Sequence, residues 1–138
     1  MADLSRLFVD TSYVQGLYNK GDQSHDVCRQ AVPFAQKAKQ LFITDAILME
    51  IGNAFCPIQR RKQGGEIIRE FQKSKQTTII HFSPEYFEKA LQLYEQRSDK
   101  EWGMIDCLSF VVMKELHLEA CLTTDHHFTQ ADFKILPF

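Results

Sequence analysis

Four carboxylates carry the chemistry this sequence could perform: Asp10, Glu50, Asp106 and Asp125. Asp106 is the most telling. It sits inside Trp102-Gly103-Met104-Ile105-Asp106-Cys107-Leu108-Ser109-Phe110-Val111-Val112-Met113, which as a helix has almost no face to give to water. An ionised carboxylate loses its hydration in such a stretch. It then needs a basic partner, hydrogen-bond donors, a wet cleft or a cation. Glu50 repeats the problem on the helical face of Ile47, Ile51 and Ala54. Neither acid has a Lys or Arg three or four residues away: Trp102 and Phe110 flank Asp106, and Ala46 and Ala54 flank Glu50. Converging carboxylates raise one another's proton affinity unless a counter-charge joins them. Mg²⁺ or Mn²⁺ provides it, since both take oxygen ligands and keep waters and substrate phosphates. An acid-only set without His or Cys suits these ions better than Zn²⁺. Such a site activates water and neutralises the charge that develops on a phosphodiester.

The elements around these acids must bring them together. Leu7-Phe8-Val9-Asp10 reads as a buried strand feeding a helix that starts at the hydroxyl pair Thr11-Ser12, with Val14, Leu17 and Tyr18 as its stripe. Gly21-Asp22-Gln23-Ser24 is a loop whose Ser24 caps a helix from about His25 to Lys39, kinked or split at Pro33. Leu41 to Thr44 is a second strand, and Asp45 opens a helix marked by Ile47, Ile51, Ala54 and Ile58. Gly64-Gly65 breaks that segment after Arg60-Arg61-Lys62, and a further helix covers Glu66 to Lys73. Thr77 to Phe82 is β-branched and strand-like. Ser83-Pro84 opens the next helix, with Phe87, Ala90, Leu91 and Tyr94 on its stripe. The central helix follows Asp99 and runs to about Leu116; Ala120 to Thr123 and Phe133 to Leu136 are the last strands.

Short strands alternating with helices imply βαβ units, hence an α/β fold with a parallel sheet of four to five strands covered on both faces. Ligands in such folds sit beyond the carboxyl ends of the strands. Asp10 and Asp125 end strands, Glu50 lies one to two turns into a helix that follows one, and Asp106 joins them if its helix starts at that edge.

The 138 residues suffice for one domain with its own core, spanning 1–138. A net charge of −2 gives no global basic field, so contact with nucleic acid must rest on a local patch or on bound cations. The four cysteines show no CxxC spacing, and three stand in apolar contexts, as reduced core cysteines do. There is no signal-peptide pattern and no apolar run of membrane-spanning length. A soluble cytoplasmic protein, with no membrane partner, is the expectation.

Each candidate has a plainer reading. Asp10 and Asp125 stand beside hydroxyls and serve equally as helix caps or turn residues; Asp22 and Asp45 are assigned to such roles outright. Arg60-Arg61-Lys62, with Lys37 and Lys39, would hold phosphates, but a basic run at a helix end more often complements the C-terminal dipole and stays solvated. His126-His127 reads as a loop pair opening a short helix, with no zinc-ligand partner in range. Trp102 and Phe110 read as core rather than as base-stacking platforms, while Phe87, Leu91 and Tyr94 fit either core or a dimer surface.

Phe8-Val9-Asp10-Thr11-Ser12, Ile47-Leu48-Met49-Glu50-Ile51, Asp99 to Trp102 with Ile105 to Phe110, and Leu122 to Phe128 resemble the successive motifs of PIN domains, in order and spacing, from Leu7 to Phe138. The resemblance implies a three-layer α/β/α sandwich and a Mg²⁺- or Mn²⁺-dependent ribonuclease. It places metal-binding, catalytic carboxylates at Asp10, Glu50, Asp106 and Asp125. Asp99 matches an accessory acid, although a helix cap explains it as well. Thr11, Ser12 and Thr124 stand as accessory hydroxyls, with Thr123 or Thr124 beside the last acid. Gly103-Met104-Ile105 departs from the pattern, because many relatives carry hydroxyls there. Many relatives are VapC-type toxins, which cleave RNA, form homodimers and are silenced by a cognate antitoxin; others stand alone. The toxin is the leading reading, and a stand-alone ribonuclease or a non-catalytic RNA- or protein-binding module is the alternative. An aspartyl-phosphate enzyme fits less well: position 12 is Ser where such a phosphatase needs an acid, and Ile80-His81-Phe82 lacks the receiver's strand-end Asp.

Overall fold

The structure, a computed structural model, describes residues 2–137. Five strands form one sheet in the order β3-β2-β1-β4-β5, every neighbouring pair parallel. They are β1 (Arg6–Val9), β2 (Gln40–Thr44), β3 (Thr77–Ile80), β4 (Ala120–Leu122) and β5 (Lys134–Leu136). The crossovers carry α1 (Thr11–Tyr18) and α2 (His25–Lys37), α3 (Asp45–Ala54) and α4 (Ile58–Lys73), α5 (Pro84–Gln96) and α6 (Met104–Glu115), and α7 (His127–Gln130). The chain steps from β1 to β2 to β3 in one direction and then returns past β1 to β4 and β5. Crossovers of one hand that run in opposite directions put their helices on opposite faces. Accordingly α1 packs with α2 and α3, and α3 with α4, while α5 packs with α6, and α6 with α7. This is the α/β/α sandwich that the alternating pattern implies.

The strands are apolar because both faces are covered. Leu7, Phe8 and Val9 of β1 are buried, as are Leu41 to Ile43 of β2 and Ala120 to Leu122 of β4. Beneath β4 and α6 lies an aromatic cluster: Phe110 meets Trp102 edge-on at 4.9 Å and Phe128 edge-on at 4.9 Å, and Phe133 at 5.8 Å. Trp102 and Phe110 are therefore core. Cys28, Cys107 and Cys121 are buried free thiols and Cys56 is an exposed one. No helix among the described residues is long and apolar enough to cross a membrane.

Several local expectations need correction. Gly64-Gly65 does not break a helix: α4 runs through it, and the break falls at Phe55 to Pro57. Gly64 is there because α3 and α4 meet tightly; a Cβ on it would stand 2.6 Å from that of Phe55. Ile58 is consequently the first residue of α4, 87% exposed, and no part of the α3 core face. Arg60 to Lys62 lie in the opening turns of α4, so they cannot serve a C-terminal dipole. Arg60 instead covers the Phe55 ring at 4.2 Å, and Arg61 donates to the Cys56 carbonyl. Pro33 leaves α2 in one piece; it is exposed, so water can take the carbonyl it leaves without a donor. Ser24 precedes α2 without a side-chain cap bond. Phe87 and Tyr94 are exposed, whereas Ala90 is buried and Leu93 and Tyr86 pack on the core.

Candidate active site

The chain reverses its strand order beside β1, and that crevice is where the acids meet. Asp10 follows β1 directly and its backbone N–H donates to the Leu122 carbonyl of β4 (3.1 Å). It holds the N-cap position of α1 but makes no capping bond. Its Oδ2 instead accepts from Ser12 Oγ (2.9 Å) and Thr123 Oγ1 (2.8 Å). Those hydroxyls are fixed in turn, because Ser12 Oγ accepts from the Thr124 N–H (3.0 Å) and Thr123 Oγ1 from the Asp125 N–H (2.9 Å). Of the two threonines, Thr123 supplies the hydroxyl, while Thr124 contributes backbone only.

Glu50 reaches the crevice from α3, where Thr44 caps the helix by accepting from the Ile47 N–H. Thr11 Oγ1 donates to Glu50 Oε1 at 2.6 Å. Asp106 lies in the first turn of α6, which starts at the crevice, and its Oδ2 accepts from the Gly103 N–H (3.0 Å). That donor replaces the hydroxyls missing from Gly103-Met104-Ile105. Trp102 fixes the approach to α6: its Nε1–H donates to Gln130 Oε1 of α7 (2.9 Å), and Arg97 covers its ring at 4.9 Å. Asp125 follows β4, and its Oδ1 accepts from the His127 N–H (2.9 Å) at the start of α7. The turn-residue reading of Asp125 is thus seen, with its Oδ2 left without a donor among the described residues.

One regularity runs through all four acids. Each gives one oxygen to protein donors, whereas Asp10 Oδ1, Glu50 Oε2, Asp106 Oδ1 and Asp125 Oδ2 receive no hydrogen bond among the described residues. No Lys or Arg among those residues pairs with any of them; only His127 approaches. Asp10 is 7% exposed, and burial pushes its carboxyl up to about 6, against the pull of the Thr123 and Ser12 hydroxyls and with a further push from Asp125 and Asp106. Burial likewise raises Glu50, opposed by Thr11 and reinforced by Asp106. Asp106 is raised by burial, opposed by the Gly103 N–H, and repelled by Asp125. The acids thus sense one another, and among the described residues His127 alone offsets them, lowering the Asp106 carboxyl. A divalent cation is a partner that fits such a set.

Two residues change status. Asp99 is exposed and held by Arg97 (3.0 Å) and Lys100 (3.9 Å), and with Gly103 as the N-cap of α6 it is no helix cap. His127 was missed. Its Nδ1 lies 3.0 Å from Asp125 Oδ1 and 3.8 Å from Asp106 Oδ2, and one ligand atom from each of the three residues falls within 4.8 Å of the others. Asp10 and Glu50 stand outside that tightest group. The usable signal was the position two residues past a strand-end Asp, where a backbone bond to the carboxylate folds the next side chain back over it.

Comparison with known proteins identifies the family and the fold. The PIN domain family model matches residues 7–134. The 23S rRNA-specific endonuclease VapC20 of Mycobacterium tuberculosis is 23% identical over 129 residues, covering 92% of this chain and 95% of the relative. The crystal structure of that VapC20, described as a sarcin-ricin loop cleaving toxin, superposes with a TM-score of 0.77 at 22% identity, covering 92% of this chain and 95% of that one. The crystal structure of FitAcB from Neisseria gonorrhoeae shares the fold with a TM-score of 0.65 at 14% identity, covering 94% and 95%.

Proposed function

This chain belongs to the PIN domain family, and on that premise we propose that it is a divalent-metal-dependent endoribonuclease that acts as the toxin of a toxin–antitoxin pair. The observation that carries the proposal is the crevice of four carboxylates, each with one oxygen held by the protein and one left open, and no Lys or Arg to neutralise them. A surplus of negative charge is useless for holding RNA unless a cation bridges the two. The curated relative's name and the description of its solved structure, an rRNA endonuclease and a toxin, support RNA as the substrate class.

Asp106 and Asp125 would hold the ion, with Asp10 and Glu50 completing the acidic set around it and Mg²⁺ or Mn²⁺ as its identity. When bound, it supplies positive charge to the scissile phosphate and acidifies the attacking water. The protein's part is positional. Ser12 and Thr123 keep Asp10 oriented and offset part of its burial cost. Thr11 fixes Glu50 through Oε1 and leaves Oε2 without a donor among the described residues. Half-buried and with raised proton affinity, Glu50 is suited to accept the proton that water loses as it attacks phosphorus. Asp106 is steered by the Gly103 N–H, and the aromatic cluster beneath keeps α6 from shifting away from α7.

Purified protein supplied with Mg²⁺ or Mn²⁺ is expected to cleave single-stranded RNA, and Asp106→Asn to lose that activity. Equal cleavage by the variant refutes the proposal. The toxin role adds a homodimer and a cognate antitoxin as partners, acting in the cytoplasm. Light scattering on the purified chain tests the first, and co-purification with the product of the adjacent gene tests the second.

A further inference from the structure

The donor set at the crevice is not purely acidic. His127 Nδ1 is buried and has no hydrogen-bond partner among the described residues. Its 3.0 Å approach to Asp125 Oδ1 is therefore a contact without hydrogen-bond alignment, and that oxygen already accepts from the backbone N–H of His127 itself. The ring is held in place by this backbone bond and by His126, whose ring lies 4.7 Å away. The fully buried Phe128 anchors the helix that both histidines open. An orphaned ring nitrogen between two carboxylates has one use for its lone pair. In the neutral imidazole with its proton on Nε2, Nδ1 is a ligand atom.

The spacing suits that use. Two ligands about 2.1 Å from one ion at right angles stand about 3.0 Å apart. Nδ1 lies 3.0 Å from Asp125 Oδ1 and 3.8 Å from Asp106 Oδ2, the oxygens that accept from backbone N–H groups, and one ligand atom from each of the three residues falls within 4.8 Å of the others, close to the spread of ligands on one ion. Resting on the metal-dependent reading above, we infer that His127 Nδ1 joins Asp106 and Asp125 in holding the divalent ion, which makes this a mixed nitrogen–oxygen site that prefers Mn²⁺ to Mg²⁺. Imidazole is a good ligand for transition ions, whereas Mg²⁺ keeps to oxygen and sheds water reluctantly. Such a site differs from an acid-only set by one nitrogen, and it assigns no ligand role to His126.

The test needs no RNA. Mn²⁺ is added to the full chain, and pulsed electron paramagnetic resonance reads whether a nitrogen nucleus is coupled to the bound ion. Isotherms with Mn²⁺ and Mg²⁺ follow on the wild type, His127→Gln and His127→Ala. The wild type is expected to show directly bound nitrogen and to prefer Mn²⁺ by about tenfold or more, a preference that both variants lose along with the coupling. His126→Ala is expected to keep both. Mn²⁺ bound without nitrogen coupling, or coupling that survives in His127→Gln, overturns the inference while leaving the nuclease reading intact. No binding of Mn²⁺ at all overturns the inference together with the metal-dependent reading on which it rests.

Discussion

Among the helices with an aspartate in the first turn, α3 and α6 use it in opposite ways. At the start of α3, both oxygens of Asp45 are spent: Oδ1 and Oδ2 accept from the Phe82 N–H (3.0 and 3.1 Å), and His81 lies 3.4 Å from Oδ2. At the start of α6, Asp106 has one oxygen on the Gly103 N–H and the other with no protein donor. Asp45 ties the segment after β3 to α3. Asp106 faces Asp125, and beyond it Asp10 and Glu50, and its carboxyl is raised where a first-turn position ordinarily stabilises the charge. The contrast lies within this pair: the fold uses both oxygens of Asp45 and leaves one oxygen of Asp106 without a donor among the described residues.

The largest effect should separate this pair. Asp106→Asn is expected to lower metal-dependent RNA cleavage by about 100-fold or more, while Asp45→Asn leaves it within about twofold, read as initial rates on one RNA. A comparable loss in both variants breaks the comparison. Next comes Asp10, where the reserved charge costs stability. Its carboxyl is raised to about 6 from 3.8, so the folded state holds a proton that the unfolded chain has released. Its contribution is full below pH 3.8, is lost as pH rises through about 6, and leaves a standing penalty above that. Metal-free Asp10→Asn should therefore be more stable than wild type at pH 7.5, by on the order of 2–3 kcal/mol in denaturant titrations, with the gain vanishing near pH 4. Unchanged or lower stability at pH 7.5 would contradict the assignment of Asp10 as an uncompensated charge.

Smaller effects sharpen the contrast. Thr11→Val removes the donor that fixes Glu50 and should slow cleavage about tenfold while the melting temperature moves little. Asp45→Asn should cost only about 0.5–1 kcal/mol in stability, from the weakened link to Phe82, since its carbonyl can still accept that N–H.

Most of the fold was legible because hydrophobic runs and caps agreed. Asp10, Glu50 and Asp125 were placed by the rule that strand ends face the ligand crevice, and Asp106 by its apolar setting. What escaped depended on contacts between distant segments. The Gly64-Gly65 pair reads as a break in any local window, and only the approach of Phe55 explains why a helix keeps a glycine there. The same misreading placed the Arg60 to Lys62 run at the wrong helix end. Asp99 resembled an accessory acid by position, but Arg97 and Lys100 claim it. The choice of Thr123 over Thr124 as the hydroxyl on Asp10, and the approach of His127 to Asp125, are visible only with the turns after β4 fixed in space.

Mn²⁺-binding isotherms on the wild type, Asp106→Asn and Asp45→Asn, run in parallel, test the central claim most directly. The account predicts that the wild type and Asp45→Asn bind alike and that Asp106→Asn binds about tenfold or more weakly. Equal affinity in Asp106→Asn, or an equal loss in Asp45→Asn, would contradict it.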